Sequence, residues 1–342
     1  MKINRLFLIA ATVCSMTVSA QKITGEYEIP KVPEWAKNAV FYQIYPQTFC
    51  DSDGDGIGDL KGVISKLDYV KSLGVDAIWF NPFFDSPFMD AGYDIRDYRD
   101  IDEKFGTMAD FDRLLEACHR KGLKVILDMV LNHTSTEHPW FQAAIADPDS
   151  KYRNYYIIRK GRMRKRKLLP PTNWVSSFTG SAWERIGETD DFYLHLFCKE
   201  QADLNWENPQ VRAEAAAVLN FWLQKGVDGF RFDAAKYIYF GNNYSSVDFW
   251  NWYTGKLKEI KPDIYLVGEV WSAENEINQY IKEMNCFDFT ISQAEGVIAV
   301  AAKGGDINAF TKYVVNYQKS LKDLNPEAMA IPFISNHNFT YL

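Results

Sequence analysis

A chain of 342 residues with 47% hydrophobic and 24% charged side chains can bury a full core and has the length of one large domain or two. Its formal net charge of −7 argues against nucleic acid as the main partner, because phosphate binding needs a basic surface. Aromatic residues make up 15%, with 10 Trp, 19 Tyr and 23 Phe, a content that suits either an aromatic-rich core or stacking on the flat faces of sugar rings.

Residues 1–20 carry Lys2 and Arg5, the apolar run LFLIAATV, and Val18-Ser19-Ala20 before Gln21. This is the order of a secretory signal: charged, apolar, then small residues. The expectation is a secreted or periplasmic protein whose mature chain starts near Gln21. Cys14 offers lipid anchoring as an alternative, against which stands the bulky Val13 before it. The apolar run is too short to span a bilayer, and no other stretch reaches the ~20 apolar residues that spanning needs. Cys50, Cys118, Cys198 and Cys286 are scattered without CxxC spacing and read as buried thiols rather than a disulfide framework.

From residue 39 onward, short apolar runs alternate with amphipathic stretches. AVFYQIYP (39–46) reads as a strand and leads into DSDGDGIGD (51–59), where Asp51, Asp53, Asp55 and Asp59 are spaced among glycines. Such packing of like charges is costly unless a cation neutralises them, and hard oxygen ligands suit Ca²⁺. A flexible acidic turn is the alternative; the loop lacks the glutamate an EF-hand carries at its twelfth position, where Gly62 stands. LKGVISKLDYVKSLG then reads as a helix, DAIWFNP (76–82) as the second strand, MADFDRLLEACHRKGL as a helix with apolar residues at helical spacing, and KVILDMVLNH (124–133) as the third strand.

Residues 134–207 break the rhythm and are expected to form an inserted subdomain. It is rich in aromatics and carries RKGRMRKRK (159–167), a solvated loop face rather than an anionic ligand site. Trp174, Trp183 and Tyr193 are either sugar platforms or internal packing. The rhythm resumes with the helix PQVRAEAAAVLNFWLQKG and the strands VDGFRFD (227–233), IYLVGEVW (264–271), CFDFTIS (286–292) and MAIPFISNH (329–337). Strand, helix, strand in alternation implies parallel pairing through right-handed crossovers, hence an α/β sheet or barrel. The chain thus divides into a signal peptide (1–20), a first part of the barrel (21–133), the insert (134–207) and the remainder of the barrel (208–342).

The chemistry sits at strand ends. Asp128 and His133 close the third strand, Arg231 and Asp233 the fourth, Glu269 the fifth and His337 the seventh. In a parallel barrel those ends meet at one face, where residues read as catalytic. Arg231 and Asp233 are two positions apart on a strand and so share a side. Two carboxylates from neighbouring strands, Asp233 and Glu269, are what glycoside hydrolysis requires.

With DMVLNH (128–133), GFRFDAAKY (229–237), GEVW (268–271) and SNH (335–337) in order, and QADLN (201–205) ahead of the helix before the fourth strand, the chain resembles the α-amylase family of glycosidases from about residue 37 to 337. The resemblance implies a (β/α)8 TIM barrel with a subdomain inserted after strand three, retaining hydrolysis of α-glucosidic bonds in starch-like α-glucans or maltooligosaccharides, and a calcium site in the first loop. Asp233 is then the nucleophile and Glu269 the general acid that later acts as base. A cation such as Arg231 beside Asp233 favours its ionised form, whereas Glu269 needs a raised pKa, which burial beside apolar groups supplies. Tyr93 grips the sugar by stacking, and His133 and His337 by hydrogen bonds to hydroxyls. Asp94 braces its loop and Asp128 supports the site from behind. The calcium set becomes Asp51, Asp53, Asp55, the carbonyl of Ile57, and Asp59, with a second site near Asn132 and Asp203 possible among relatives. Lys236 and GEVW point to α-1,4 bonds, while QADLN and DSDGDGIGD resemble the oligo-1,6-glucosidase branch.

The chain departs from the family at residue 338, where the third acid of the site is replaced by Asn338, and no sequence remains for an eighth strand, its helix or a C-terminal β-domain. Loss of one charge-stabilising group costs about 3 to 4 kcal/mol in the transition state. A barrel stopped after seven strands leaves two sheet edges unpaired, so poor stability is expected. Three functions therefore stand side by side: an α-glucan hydrolase, a transglycosylase of the same bonds, and a non-catalytic glucan-binding or broken fragment.

Overall fold

The computed structural model describes residues 32–293 and 296–337; the signal segment, Cys14 and Asn338 lie outside them. Seven strands form one sheet: β1 (Phe41–Ile44), β2 (Ala77–Phe80), β3 (Lys124–Met129), β4 (Gly229–Phe232), β5 (Tyr265–Gly268), β6 (Asn285–Phe287) and β7 (Ala330–Ile331). Their order in the sheet is their order in the chain, and every neighbouring pair is parallel. An uninterrupted order of this kind belongs to a rolled sheet, since an open doubly wound sheet reverses its order at a switch point.

Ring contacts across the interior show the roll. Phe41 of β1 lies 4.8 Å from Tyr265 of β5, and Trp79 of β2 lies 5.3 Å from Phe287 of β6, measured between ring centroids. Strands β2, β4 and β5 are buried along their whole length, as the unbroken apolar runs of a sheet covered on both faces require.

The helices follow local signals. Met108–Arg120 opens on a capping box in which Thr107 and Asp110 exchange side-chain to backbone bonds. Pro209–Lys225 starts with Asn208 accepting from the Gln210 N–H and stops at Gly226, whose φ of 105° only glycine adopts cheaply. The stretch read as one helix over residues 60–74 is two, Leu60–Ser65 and Leu67–Ser72, separated at Lys66. Leu60, Val63, Leu67 and Val70 still all reach the core.

All seven strands are shorter than the runs read in the sequence, β6 and β7 in the largest proportion. The run 286–292 ends at Phe287 because the Asp288 carboxylate accepts the N–H groups of Thr290 and Ile291 and turns the chain. The run 329–337 ends at Ile331 because Pro332 has no N–H for the ladder.

Between β3 and β4 lies a separate set of small antiparallel sheets. Gln201–Asp203 pairs with His133–Ser135, so the insert re-enters the barrel beside the point where it leaves. Its own small core is Ala182, Trp183, Phe192, Leu194 and Leu196. Trp183 and Tyr193 are buried and serve packing within the insert; the half-buried Trp174 stacks on Trp183 at 6.0 Å and keeps part of its surface open.

Candidate active site

Strand register places the charged residues. Arg231 on β4 sits opposite Asp128 on β3, and Asp233 and Glu269 follow directly on the ends of β4 and β5. The buried Arg231 guanidinium joins all three acids: Nη1 lies 2.7 Å from Asp128 Oδ1 and 2.6 Å from Asp233 Oδ1, and Nη2 lies 2.6 Å from Glu269 Oε1. Its planar fork has the geometry for several carboxylates at once, and it lies over the rings of Trp79 and Tyr93, 5.2 and 6.0 Å from their centroids.

Burial outweighs the cation. Desolvation pushes Asp128 up to about 7 against the pull of Arg231, and it raises Asp233 as well. One positive charge facing three acids leaves a surplus of negative charge, which adds to burial in raising the Asp128 and Asp233 carboxyls. The simpler expectation, that Arg231 holds Asp233 ionised, describes only the opposing half of this balance. Glu269 likewise has no purely apolar setting, because the guanidinium touches it directly. Its second oxygen accepts the Ala234 N–H at 3.3 Å. Ala234 adopts φ 47°, ψ 37°, a left-handed backbone that costs on the order of 1–3 kcal/mol without glycine.

Behind the acids runs a chain of hydrogen bonds that sequence reading did not find. Gln43 Nε2 lies 2.6 Å from Asn81 Oδ1 and 2.8 Å from His337 Nδ1, and His337 Nε2 lies 2.8 Å from Tyr93 Oη. Tyr93 donates to Asp128 Oδ2 at 2.9 Å and accepts from Asn81 at 3.2 Å. With the Gln43 amide donating to Nδ1, the His337 proton belongs on Nε2, and every donor in the chain has an acceptor. Trp79 adds an N–H to Asp128 at 3.3 Å. The only early sign of these partners was their place on inward-facing strands.

The remaining predicted residues are close by. Tyr93 stacks on His337 at 5.5 Å and 11°. His133 Nε2 lies 3.2 Å from the Tyr93 carbonyl and its Nδ1 3.4 Å from the Asn132 amide, so gripping a sugar hydroxyl requires an exchange of partners. Burial lowers His133 to about 4 and His337 to about 3; both rings are neutral at physiological pH. Asp94 accepts the N–H groups of Met89 and Asp90, bracing the loop. Lys236 donates to the Trp271 carbonyl at 2.7 Å, and the Trp271 ring stacks on Phe289 at 5.4 Å and 6°.

In the first loop, Asp51, Asp53 and Asp59 each offer an oxygen within 4.8 Å of the others. Asp51 accepts the N–H groups of Asp53, Gly54 and Gly56, which holds its carboxyl below the usual range. Asp55, also expected in this set, lies outside the cluster, its carboxylate turned to accept the Ile57 N–H. No lysine or arginine pairs with these acids among the described residues, so the donor set fits a hard cation.

The family described as "Alpha amylase, catalytic domain" matches residues 43–340. An oligo-1,6-glucosidase of Heyndrickxia coagulans is 44% identical over 280 residues, 82% of this chain and 48% of the relative. The crystal structure of Bacillus licheniformis trehalose-6-phosphate hydrolase superposes with a TM-score of 0.77 at 38% identity, covering 89% of this chain and 58% of that one. An isomaltulose synthase from Protaminobacter rubrum gives 0.65 at 41% identity, over 76% and 50%. This chain therefore spans about half the length of the relatives it matches.

Proposed function

The chain belongs to the α-amylase catalytic-domain family, and from that premise we propose that it cleaves α-glucosidic bonds with retention of anomeric configuration. The observation that carries the reading is the meeting of Asp233 and Glu269 on the one guanidinium of Arg231 at the strand ends. Asp233 attacks the anomeric carbon while Glu269 protonates the departing oxygen; Glu269 then takes a proton from water, which releases the sugar from Asp233. For this the two carboxyls must part to admit the substrate, and Arg231 is the shared anchor that keeps each oriented as they do. Tyr93 and His337, already stacked, form the floor of the sugar subsite. The position of the third acid falls on Asn338, whose amide carries no charge.

Starch-like α-glucans or maltooligosaccharides are the proposed substrates, with α-1,6-linked oligosaccharides included on the strength of the oligo-1,6-glucosidase relative. A second reading, transfer of the glycosyl group to a sugar hydroxyl, is favoured by the likeness to an isomaltulose synthase. Asp51, Asp53 and Asp59, with Asp55 and the Ile57 carbonyl, would hold Ca²⁺ and so fix the loop after β1. Secretion is proposed on residues 1–20 alone; no helix among the described residues is long and apolar enough to cross a membrane.

The test is incubation of the chain with maltotriose and isomaltotriose, following the first-formed anomer by NMR. The α-anomer is expected, with the signal lost in Asp233→Ala. Absence of cleavage both by the chain and by its Asn338→Asp variant overturns the reading.

A further inference from the structure

A cavity of about 680 Å³ opens along the seam between the insert and the barrel, and neither Asp233 nor Glu269 lines it. Its size falls within the range of small-molecule sites. Four half-buried rings stand in its wall: Trp174, Tyr237, Tyr239 and Phe240. Tyr237 and Phe240 are nearly parallel, 6.1 Å apart at 6°, and Phe240 meets Trp174 edge-on at 5.1 Å. Asn154, Asn205 and Asn242 border the same space.

The charges in this wall are already spent. Asp191 pairs with Arg153 at 2.5 Å and Lys160 at 3.0 Å. Arg159 lies over the rings of Trp174 and Trp183, 5.9 and 5.7 Å from their centroids. Asp203 is buried, one oxygen accepting from Leu196 N–H and the Asn132 amide, and burial raises it well above the usual range. Among the described lining residues the acids without an ion pair are the buried Asp203, whose raised pKa favours its neutral form, and the exposed Glu207. Arg153 and Lys160 are paired to Asp191, and Arg159 lies over its two rings. What suits the wall is a neutral ligand with flat apolar faces and many hydroxyls, because rings stack on such faces and amides serve hydroxyls as both donor and acceptor.

We infer that this cavity is a second saccharide site, taking a short neutral α-glucan apart from the catalytic acids. The two sites adjoin: Tyr237 packs edge-on against Phe197 at 5.1 Å, and Phe197 lies 5.4 Å from His133. The choice of an α-glucan rests on the proposed function, but binding requires no turnover.

Titration calorimetry with maltotriose on the full chain carrying Asp233→Asn tests it. Two equivalents are expected to bind. Trp174→Ala weakens one of them at least tenfold. Asn154→Trp, placed at an exposed position so that folding is undisturbed, fills the cavity and reduces the count to one. A count of one without either substitution, or a count of two that survives both, overturns the second site. Hydrolysis by the unsubstituted chain together with a count of one leaves the catalytic reading standing alone. A count of two that falls to one with Asn154→Trp, in a chain that hydrolyses nothing, supports the site and counts against the catalytic reading.

Discussion

Arg231 on β4 donates to Asp128 on β3 at 2.7 Å, and neither side chain is more than 1% exposed. A buried ion pair of this kind contributes little over an apolar pair of the same shape, yet breaking it from one side is expensive because the partner is left charged and unpaired. Arg231→Met strands Asp128, Asp233 and Glu269 together. It is expected to lower stability by about 3–5 kcal/mol, read as a fall in the urea midpoint at pH 7. Arg231→Met/Asp128→Asn recovers part of that loss; a double variant no more stable than the single one counts against the pairing.

The buried histidines set an acid limit. His133 and His138 are lowered to about 4 and His337 to about 3. A depressed pKa gives stability that is present above the unfolded value of about 6.5 and is lost as pH falls towards the folded one, at about 2–3 kcal/mol for each ring. Asp128, raised to about 7, acts in the opposite sense: its contribution is present below about 3.9 and is lost as pH rises through 7. Asp203 and Asp233, also raised by burial, and Glu283, raised to about 7, act in the same sense as Asp128, so between pH 4 and pH 7 the histidines' gain is set against a loss from these acids. Asp128→Asn, which removes one of the opposing titrations, should make stability rise more steeply, or fall less, over that range in urea melts; an unchanged slope contradicts the assignment.

Tyr93 is the hinge of the hydrogen-bond chain, bonded through one oxygen to Asp128, His337 and Asn81. Tyr93→Phe keeps the ring and removes that oxygen, leaving buried groups unpaired at about 1–3 kcal/mol. On the proposed reaction, kcat is expected to fall by at least tenfold with KM changed less, because the stacking face remains.

Calcium is tested by its removal. With EDTA the melting temperature is expected to drop by several degrees and to recover on adding Ca²⁺ but not Mg²⁺, which demands a tighter octahedron. Asp51→Asn should abolish the response. Identical melts with and without chelator count against the site.

The barrel was legible because its evidence is local: unbroken apolar runs for strands buried on both faces, and helical spacing between them. Strand ends were less so, since Asp288 and Pro332 end β6 and β7 inside runs that remain apolar. In the site, Arg231 and Asp233 were readable from their spacing on one strand. Gln43, Asn81 and Trp79 were not: their partners lie 294, 12 and 49 residues away, and the link from Gln43 to His337 exists only once the sheet has rolled. The surroundings of Glu269 were misread for the same reason, since the arginine that touches it belongs to the neighbouring strand.

The single guanidinium among three acids carries one more implication. A sugar ring bent towards its reactive shape acquires positive character, and it would arrive in a recess whose acids outnumber the one cation and are already held in place by it, so little reorientation is needed to welcome it. A sugar mimic with a protonated ring nitrogen would meet the same field while still at rest, which makes basic iminosugars the class of small molecule this arrangement is best shaped to retain.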